Sequence, residues 1–201
     1  MTIEKRYRNR YKLGDTPWDV GQPDFNLIET VTENNILNCN VLDVGCGTGD
    51  NSIWLAQNRF QVIGTDVSDI AIEKAKEKAS KAKVKCDFIL VDFLNNKIEG
   101  VPFGFVFDRG RFHSFSSKDD RRRFAKNVFA HLVKAGLWLT IVGNADEDRQ
   151  GPGPPQRTAK DIVLAVEPYF EILSLQSSYF GSNRPNPPRA WRCLMRKREV
   201  R

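Results

Sequence analysis

Three glycines spaced two residues apart, Gly45, Gly47 and Gly49, form the part of this sequence best suited to holding a ligand. They follow a strand-like run at residues 41–44 and lead into a helical pattern that starts near Asp50 or Asn51. Glycine lets the backbone approach a ligand closely, and a helix that begins there turns its free N–H groups toward the same point. This order of strand, glycine loop and helix predicts a nucleotide-type cofactor site.

The spacing of the glycines decides between cofactors. A dinucleotide site requires its third glycine three residues after the second, and that position here holds Asp50. Residues 43–49, DVGCGTG, instead resemble motif I of class I S-adenosylmethionine-dependent methyltransferases. The resemblance implies that Asp43, two residues before the first glycine, partners the charged methionine end of the cofactor. A glycine-rich turn without a ligand is the alternative.

Two carboxylates stand at the ends of the next two predicted strands, 60–66 and 84–91. In doubly wound folds a carboxylate after the second strand accepts hydrogen bonds from both ribose hydroxyls, so we interpret Asp66 as a ribose ligand. Ser68, directly before the next helix, is the better candidate for its N-cap. The resemblance implies that Asp92 faces the adenine amine and that Phe93 packs against the ring, with a turn Asp and a core Phe as the alternatives.

The resemblance implies S-adenosylmethionine as the cofactor and S-adenosylhomocysteine as the product, with no metal required. The implied chemistry is an in-line displacement at the sulfonium methyl, for which the protein supplies alignment and a dry pocket. The implied cofactor-binding residues are Trp18, Asp43, Gly45, Cys46, Gly47, Gly49, Asp66, Val67, Asp92, Phe93 and Asp108.

Two further segments resemble small-molecule methyltransferases related to the thiopurine, thiol and halide enzymes: TPWDVGQP at residues 16–23 and DRGRFHSF at 108–115. We expect Trp18, Arg109 and Arg111 to contact the acceptor. His113 is the best-placed general base if the acceptor is a hydroxyl or an amine, whereas a thiolate or halide needs no strong base. A Trp18 that only packs the N-terminal segment and a structural His113 are the alternatives.

Seven strand patterns predict the sheet that brings these residues together, an α/β fold that is doubly wound and Rossmann-like. The sheet is expected to be mostly parallel, with an antiparallel last strand and helices on both faces. We expect one domain over residues 1–201, in which residues 1–35 form an N-terminal arm or lid. The loop at 145–157 is either a substrate-contacting lid or a plain solvent loop. The predicted strands are 41–44, 60–66, 84–91, 103–107, 137–142, 170–175 and 190–195, and predicted helices include 25–31, 51–57 and 118–134.

The composition limits the functions to be considered. Much of the basic excess behind the net charge of +6 lies in three separate stretches, and this favours solvated faces over a nucleic-acid surface. No apolar run reaches the roughly 20 residues of a membrane span. Residues 1–6 contain no apolar signal core. We therefore expect a cytoplasmic protein, without nucleic-acid or membrane partners, that is a monomer.

The sequence predicts an S-adenosylmethionine-dependent methyltransferase that transfers a methyl group to a small-molecule acceptor, with a thiol or another soft nucleophile as a candidate. The alternative is a nucleic-acid-associated methyltransferase or a non-catalytic cofactor-binding module that uses the basic surface. An NAD-dependent dehydrogenase is disfavoured by the glycine spacing, and because 201 residues leave no second substrate domain.

Overall fold

The computed structural model describes residues 3–100, 102–183 and 185–199. Within these ranges the strands are β1 (Asn40–Val44), β2 (Gln61–Asp66), β3 (Cys86–Leu90), β4 (Phe103–Arg109), β5 (Leu132–Asn144), β6 (Gln156–Arg157), β7 (Phe170–Tyr179) and β8 (Arg189–Lys197). They form one sheet in the order β3-β2-β1-β4-β5-β8-β7, and the two-residue β6 pairs with β5 beside this series. Strand β8 runs antiparallel to both of its neighbours, and the other pairings are parallel. The predicted mostly parallel sheet of seven strands with an antiparallel last strand is confirmed, and β6 is an addition.

The helices in the described ranges are α1 (Ile3–Leu13), α2 (Phe25–Glu33), α3 (Asp50–Gln57), α4 (Asp69–Ala82), α5 (Lys118–His131) and α6 (Ala159–Val166). Ser68 caps α4 as predicted, because its side chain accepts a hydrogen bond from the N–H of Ala71. Helix α3 begins at Asp50, as the pattern predicted, and Gly49 occupies its N-cap position in a left-handed conformation. Helix α5 ends at His131, three residues before the predicted end, because Leu132 already belongs to β5.

Helix α1 was not predicted. Its sequence is polar almost throughout, so it has no apolar stripe that would mark a packed helix. Among its described side chains, Tyr11 is the buried one, at 4% exposure. Tertiary contacts therefore stabilise this helix, including the ion pair between Arg8 and Asp69 at the start of α4.

Hydrophobic clusters cover both faces of the sheet. Along β4, Phe105 and Phe107 belong to one cluster and Val106 to the other, as the alternation of side chains along a strand requires. The first cluster includes Leu27 of α2, and the second includes Phe124 of α5. The helices thus lie on both faces, as predicted. No helix in the described ranges has the length and apolar character needed to cross a membrane.

The strand order positions the ligand site. From β1 the chain adds β2 and β3 on one side, and β4 and β5 then follow on the other side of β1. All five strands are parallel, so their carboxyl ends lie at the same edge of the sheet. A doubly wound sheet opens a crevice at this edge where the strand order reverses, here between β1 and β4.

Candidate functional site

A cavity of about 620 Å³ occupies this crevice. Its volume lies in the range of roughly 300–1,000 Å³ that is usual for small-molecule sites. The strand half of the cavity is formed by the ends of β1 to β3, with Val44, Gly45, Thr65, Asp66, Val67, Val91 and Phe93. The arm half is lined by Arg6, Tyr7, Arg10, Tyr11, Asp15, Pro17, Trp18, Arg109, His113, residues 152–155, Phe180, Gly181, Ser182 and Pro188. Gly110 and Arg111 also contribute to the wall.

The glycine loop is held against the end of β2. The N–H groups of Gly45 and Cys46 both donate to the carbonyl oxygen of Thr65, at 2.7 and 2.9 Å. Gly45 lines the main cavity, whereas Cys46 and Gly47 line an adjoining cavity of about 50 Å³. Gly49 lines neither of these two cavities. Of the residues predicted to contact the cofactor, Gly45 therefore borders the main cavity, whereas Gly49 does not.

Gly49 has a packing role. Its φ of +87° is in the left-handed region, and a Cβ at this position would lie 3.0 Å from the Cβ of Ala75 and 3.1 Å from Cζ of Phe88. Helix α4 and strand β3 thus approach the loop so closely that only glycine fits.

Asp66 lies at the end of β2 with its carboxylate fixed by the backbone. Oδ2 accepts the N–H of Gly47 at 3.1 Å, and Oδ1 accepts the N–H of Ser68 at 2.9 Å. Burial raises the pKa of Asp66, while these hydrogen bonds and the charge of Arg111 oppose the rise. Because a carboxylate has about four lone-pair sites, acceptor capacity remains for a ligand. Val67, the next residue, also lines the cavity.

The end of β3 contributes Phe93 to the cavity but not the carboxylate of Asp92. Oδ2 of Asp92 accepts a hydrogen bond from the side chain of Asn95 at 2.6 Å. Its Oδ1 accepts the N–H of Leu94 at 3.2 Å and lies 3.4 Å from Nη2 of Arg111. Phe93 borders the cavity, but its side chain is 2% exposed and packs against Phe124, so its contact with the adenine stays a prediction. Asp92 faces partners within the protein. Arg111, predicted to contact the acceptor, lies against Asp92 and beside Gly45.

Asp43 and Asp108 lie beneath the site rather than on its wall. Asp43 is 1% exposed and accepts the hydroxyl of Ser52 at 2.6 Å; burial is the largest cause that raises its pKa to about 7. Asp108 is fully buried and accepts the indole N–H of Trp138 and the N–H of Phe112, both at 2.9 Å. Burial raises the pKa of Asp108 to about 6. Neither carboxylate lines the two cavities, since each braces the loop or the turn below them, and the cofactor contacts predicted for both residues stay predictions.

Arg109 connects three parts of the chain. Its Nε donates to Oδ2 of Asp24 at 2.5 Å, its Nη1 to the carbonyl of Trp18 at 3.1 Å, and its Nη2 to the carbonyl of Gly181 at 2.7 Å. The side chain lines the cavity, but three of its five donors are committed to these contacts. Asp24 was not predicted as a site residue, because a turn aspartate carries no signal for a partner 85 residues away.

His113 lies in the cavity wall as a neutral imidazole whose lone pair already accepts a hydrogen bond. Its Nδ1 accepts the buried N–H of Gly143 at 2.9 Å, so the ring hydrogen of the neutral imidazole is on Nε2. Burial lowers the pKa of His113 to about 3, and the charges of Arg157, Arg109 and Arg149 add to this effect. Nδ1 accepts a hydrogen bond and Nε2 carries the ring hydrogen, so this tautomer offers no free lone pair for the general-base role predicted for His113.

The N-terminal arm lies over the glycine loop. Trp18 donates its indole N–H to the hydroxyl of Tyr11 at 3.0 Å. That hydroxyl lies so close to the loop that a Cβ at Gly47 would be 2.9 Å from it. The hydroxyl of Thr48 in the loop donates to the carboxylate of Asp19 at 2.6 Å. Trp18 packs against Tyr11 within the arm and also lines the cavity. Its position is therefore compatible with both of its predicted roles.

Two other segments complete the arm half. The proline-rich loop contributes residues 152–155 to the cavity wall, although three of these four residues are exposed to solvent. Beyond β7, Phe180, Gly181 and Ser182 also line the cavity, and the N–H of Phe180 donates to the carbonyl of Pro188. The sequence contained no chemical signal for this second segment, because its residues contribute shape and backbone rather than a reactive group.

Comparisons with known proteins agree with this geometry. The family described as "Methyltransferase domain" matches residues 41–136, from β1 into β5. The chain is 29% identical over 173 residues to "Probable thiol methyltransferase 2" of Arabidopsis thaliana, covering 84% of this chain and 75% of that protein. It is also 29% identical over 171 residues to the 2-heptyl-1-hydroxyquinolin-4(1H)-one methyltransferase of Mycobacteroides abscessus, covering 83% of this chain and 74% of that protein.

The fold is similar to that of solved structures along nearly the whole chain. Magnesium protoporphyrin IX methyltransferase from Synechocystis PCC 6803, solved with bound S-adenosylmethionine, superposes with a TM-score of 0.72 at 18% identity and covers 99% of this chain and 98% of that one. The doubly wound sheet, the glycine loop after β1 and the acid at the end of β2 agree with the family match over residues 41–136. With its cavity at the same strand ends, the chain has the sheet, the glycine loop and the ligand crevice of a class I S-adenosylmethionine-dependent methyltransferase.

Proposed function

We propose that this enzyme methylates a small molecule whose accepting atom is a soft nucleophile, such as a thiolate or a halide. The observation that carries the proposal is the hydrogen bond from the N–H of Gly143 to Nδ1 of His113, which removes the best candidate for a general base. A hydroxyl or amine acceptor usually needs such a base, whereas a thiolate reacts without one.

The rest of the arm half supports the same conclusion. Among the described residues that line it, the one carboxylate is that of Asp15. Its side chain is 65% exposed and pairs with Arg10 at 3.1 Å, so it lies at the rim. The charges of Arg157, Arg109 and Arg149 lower the pKa of His113, and the same positive potential favours an anionic acceptor beside it.

The residues of the strand half fit S-adenosylmethionine. We propose that Asp66 accepts the ribose hydroxyls with its remaining lone pairs and that Val67 and Phe93 contact the adenine ring. Gly45 offers a backbone without a Cβ on the same wall. When bound, the cofactor supplies the methyl group from its sulfonium sulfur, and the thioether S-adenosylhomocysteine is the leaving group. The chain contributes alignment and exclusion of water by Trp18 and Tyr11 of the arm.

The names of two relatives support the acceptor class. Besides the thiol methyltransferase, the chain is 28% identical over 174 residues to "Thiocyanate methyltransferase 1" of Brassica oleracea, covering 84% of this chain and 74% of that protein. Thiols and thiocyanate both accept a methyl group without a strong base. We further propose that residues 1–201 act as a single-domain monomer in the cytoplasm, with no nucleic-acid partner.

The test is a panel of acceptors assayed for S-adenosylhomocysteine release. We expect turnover with iodide, thiocyanate or 4-nitrobenzenethiol, and much less with 4-nitrophenol or 4-nitroaniline, which have the same ring but a hard accepting atom. Turnover confined to the phenol or the aniline would refute the soft-acceptor assignment. Submicromolar DNA or RNA binding that weakens steeply with salt would instead support the nucleic-acid alternative.

A further inference from the structure

Asp24 is a buried carboxylate at a junction of four chain segments. It is 1% exposed, and it caps α2 by accepting the N–H of Asn26 at Oδ1. Its Oδ2 accepts Nε of Arg109 and the N–H of Gly181, at 2.5 and 3.0 Å. Its own N–H donates to the side chain of Asn51 in the first turn of α3 at 2.8 Å. A carboxylate with this many partners fixes the relative positions of the segments that carry them.

The charge of Arg109 is balanced by Asp24. The guanidinium is 11% exposed, and Asp24 is the acid with which it forms an ion pair among the described residues. Its Cζ lies 5.3 Å from the centre of the Phe180 ring, so an apolar surface covers one side. A buried guanidinium that loses its carboxylate is unfavourable and must move toward water. The two side chains therefore hold their positions as a pair.

The pair joins two walls of the arm half of the cavity. Through Nη1, Arg109 holds the carbonyl of Trp18 in the N-terminal arm, and through Nη2 it holds the carbonyl of Gly181 beyond β7. Trp18, Phe180 and Gly181 all line the cavity. Because one planar guanidinium fixes both carbonyls, the distance between these walls is set by Arg109, whose orientation is set by Asp24.

We propose that Asp24 and Arg109 are a positioning pair that holds the N-terminal arm against the end of β7 and thereby shapes the acceptor pocket. Arg109 acts here through the backbone of its neighbours and not by binding the acceptor itself. The inference about the arm depends on contacts alone, and the inference about the acceptor rests on the proposed function. Among the described residues, neither the Asp24 nor the Arg109 side chain forms a hydrogen bond with the ends of β1 to β3. We therefore expect the pair to affect the acceptor more than the cofactor.

The test uses Asp24→Asn in the full chain. Asparagine is as good an N-cap as aspartate, so α2 is preserved while the countercharge of Arg109 is removed. We expect trypsin cleavage within α1, after Arg6, Arg8, Arg10 or Lys12, to become at least fivefold faster. With 4-nitrobenzenethiol as the probe acceptor, kcat/KM should fall at least tenfold, while the Kd of S-adenosylhomocysteine changes less than threefold.

Two further variants separate the pair from a general loss of stability. Glu171→Gln breaks an exposed ion pair with Arg196 on β7 and β8 and should leave both readouts unchanged. Gly181→Ala keeps both charges but places a Cβ 3.1 Å from Oδ2 of Asp24, so it should act in the same direction as Asp24→Asn. It also keeps the test possible if Asp24→Asn does not fold.

A double-mutant cycle completes the experiment. If Asp24 and Arg109 act as one unit, Asp24→Asn combined with Arg109→Gln should lower kcat/KM no more than the more severe single change does. Multiplicative losses, or normal arm protection in Asp24→Asn, would overturn the proposal and leave Arg109 as a direct acceptor ligand. If wild type methylates no thiol, the proposed function fails, whereas the proteolysis readout still decides the role of the pair.

Discussion

His113 is the residue at which a catalytic and a structural role make opposite predictions. Asparagine at position 113 can present Oδ1 to the N–H of Gly143, where the histidine presents Nδ1 at 2.9 Å. Phenylalanine keeps a flat ring against Phe180, which lies 5.7 Å away in an edge-to-face arrangement, but offers no acceptor. His113→Asn thus keeps the hydrogen bond and loses the ring, and His113→Phe does the reverse.

The expected magnitudes follow from these contacts. His113→Phe leaves a buried N–H without an acceptor, which should cost about 1–3 kcal/mol of unfolding free energy. For a protein of this size that lowers Tm by about 2–4 °C for each kcal/mol. His113→Asn loses an aromatic contact of about 0.5–1.5 kcal/mol but should keep kcat within about threefold. A general base would instead contribute about 10²–10⁴-fold to kcat, and both variants would lose it.

The pH dependence of stability provides a second assay. The folded pKa of about 3 for His113 lies below its ordinary value of 6.5, so the unfolded chain binds the additional proton between these values. Wild type therefore loses stability as the pH falls from about 6.5 toward 3, and His113→Asn should lose less over the same range. Urea unfolding at several pH values measures this difference, and S-adenosylhomocysteine release measures kcat.

One result would refute the reasoning. If His113→Asn folds with a near-normal Tm but kcat with 4-nitrobenzenethiol falls a hundredfold or more, the imidazole takes part in proton transfer. In that case kcat of wild type would also follow a histidine titration rather than the ionisation of the acceptor.

Three other substitutions test the ends of β1 and β2 and the glycine loop. Asp66→Ala should weaken S-adenosylhomocysteine binding by about 2–3 kcal/mol in calorimetry, because two ribose hydroxyls lose a charged partner; an unchanged Kd would exclude the ribose role. The folded pKa of about 7 for Asp43 is above its ordinary value of 3.8, so stability is lost as the pH rises through this window. Asp43→Asn should remove about 2–3 kcal/mol of the loss between pH 5 and 8 in urea unfolding, and an identical pH profile would contradict the burial argument. Gly49→Ala should destabilise by about 1–2 kcal/mol from left-handed backbone and about 1–3 kcal/mol from crowding, measured by thermal unfolding, whereas a neutral effect would show that α4 can move away.

The sequence by itself determined the features that depend on neighbouring residues. The apolar run before Gly45, the helix after the loop and the cap at Ser68 are local patterns, and all are present in the fold. The parallel direction of the strands followed from the alternation of strands and helices. The same alternation predicted that Asp66 and Phe93 reach the same edge of the sheet.

Only the tertiary structure decided how deep each acid lies and what each polar group contacts. Asp43 and Asp66 both stand at strand ends, yet the first is covered by α3 through Ser52 and the second lines the cavity. No local pattern distinguishes them, because the covering residues come from other elements.

The same reason applies to the acceptor side. The tautomer of His113 is set by Gly143, 30 residues later, and the role of Arg109 is set by Asp24, 85 residues earlier. Helix α1 forms without an apolar stripe because α4 and the glycine loop hold it in place. Each of these contacts joins segments that only the completed sheet brings together, so no local pattern in the sequence could show them.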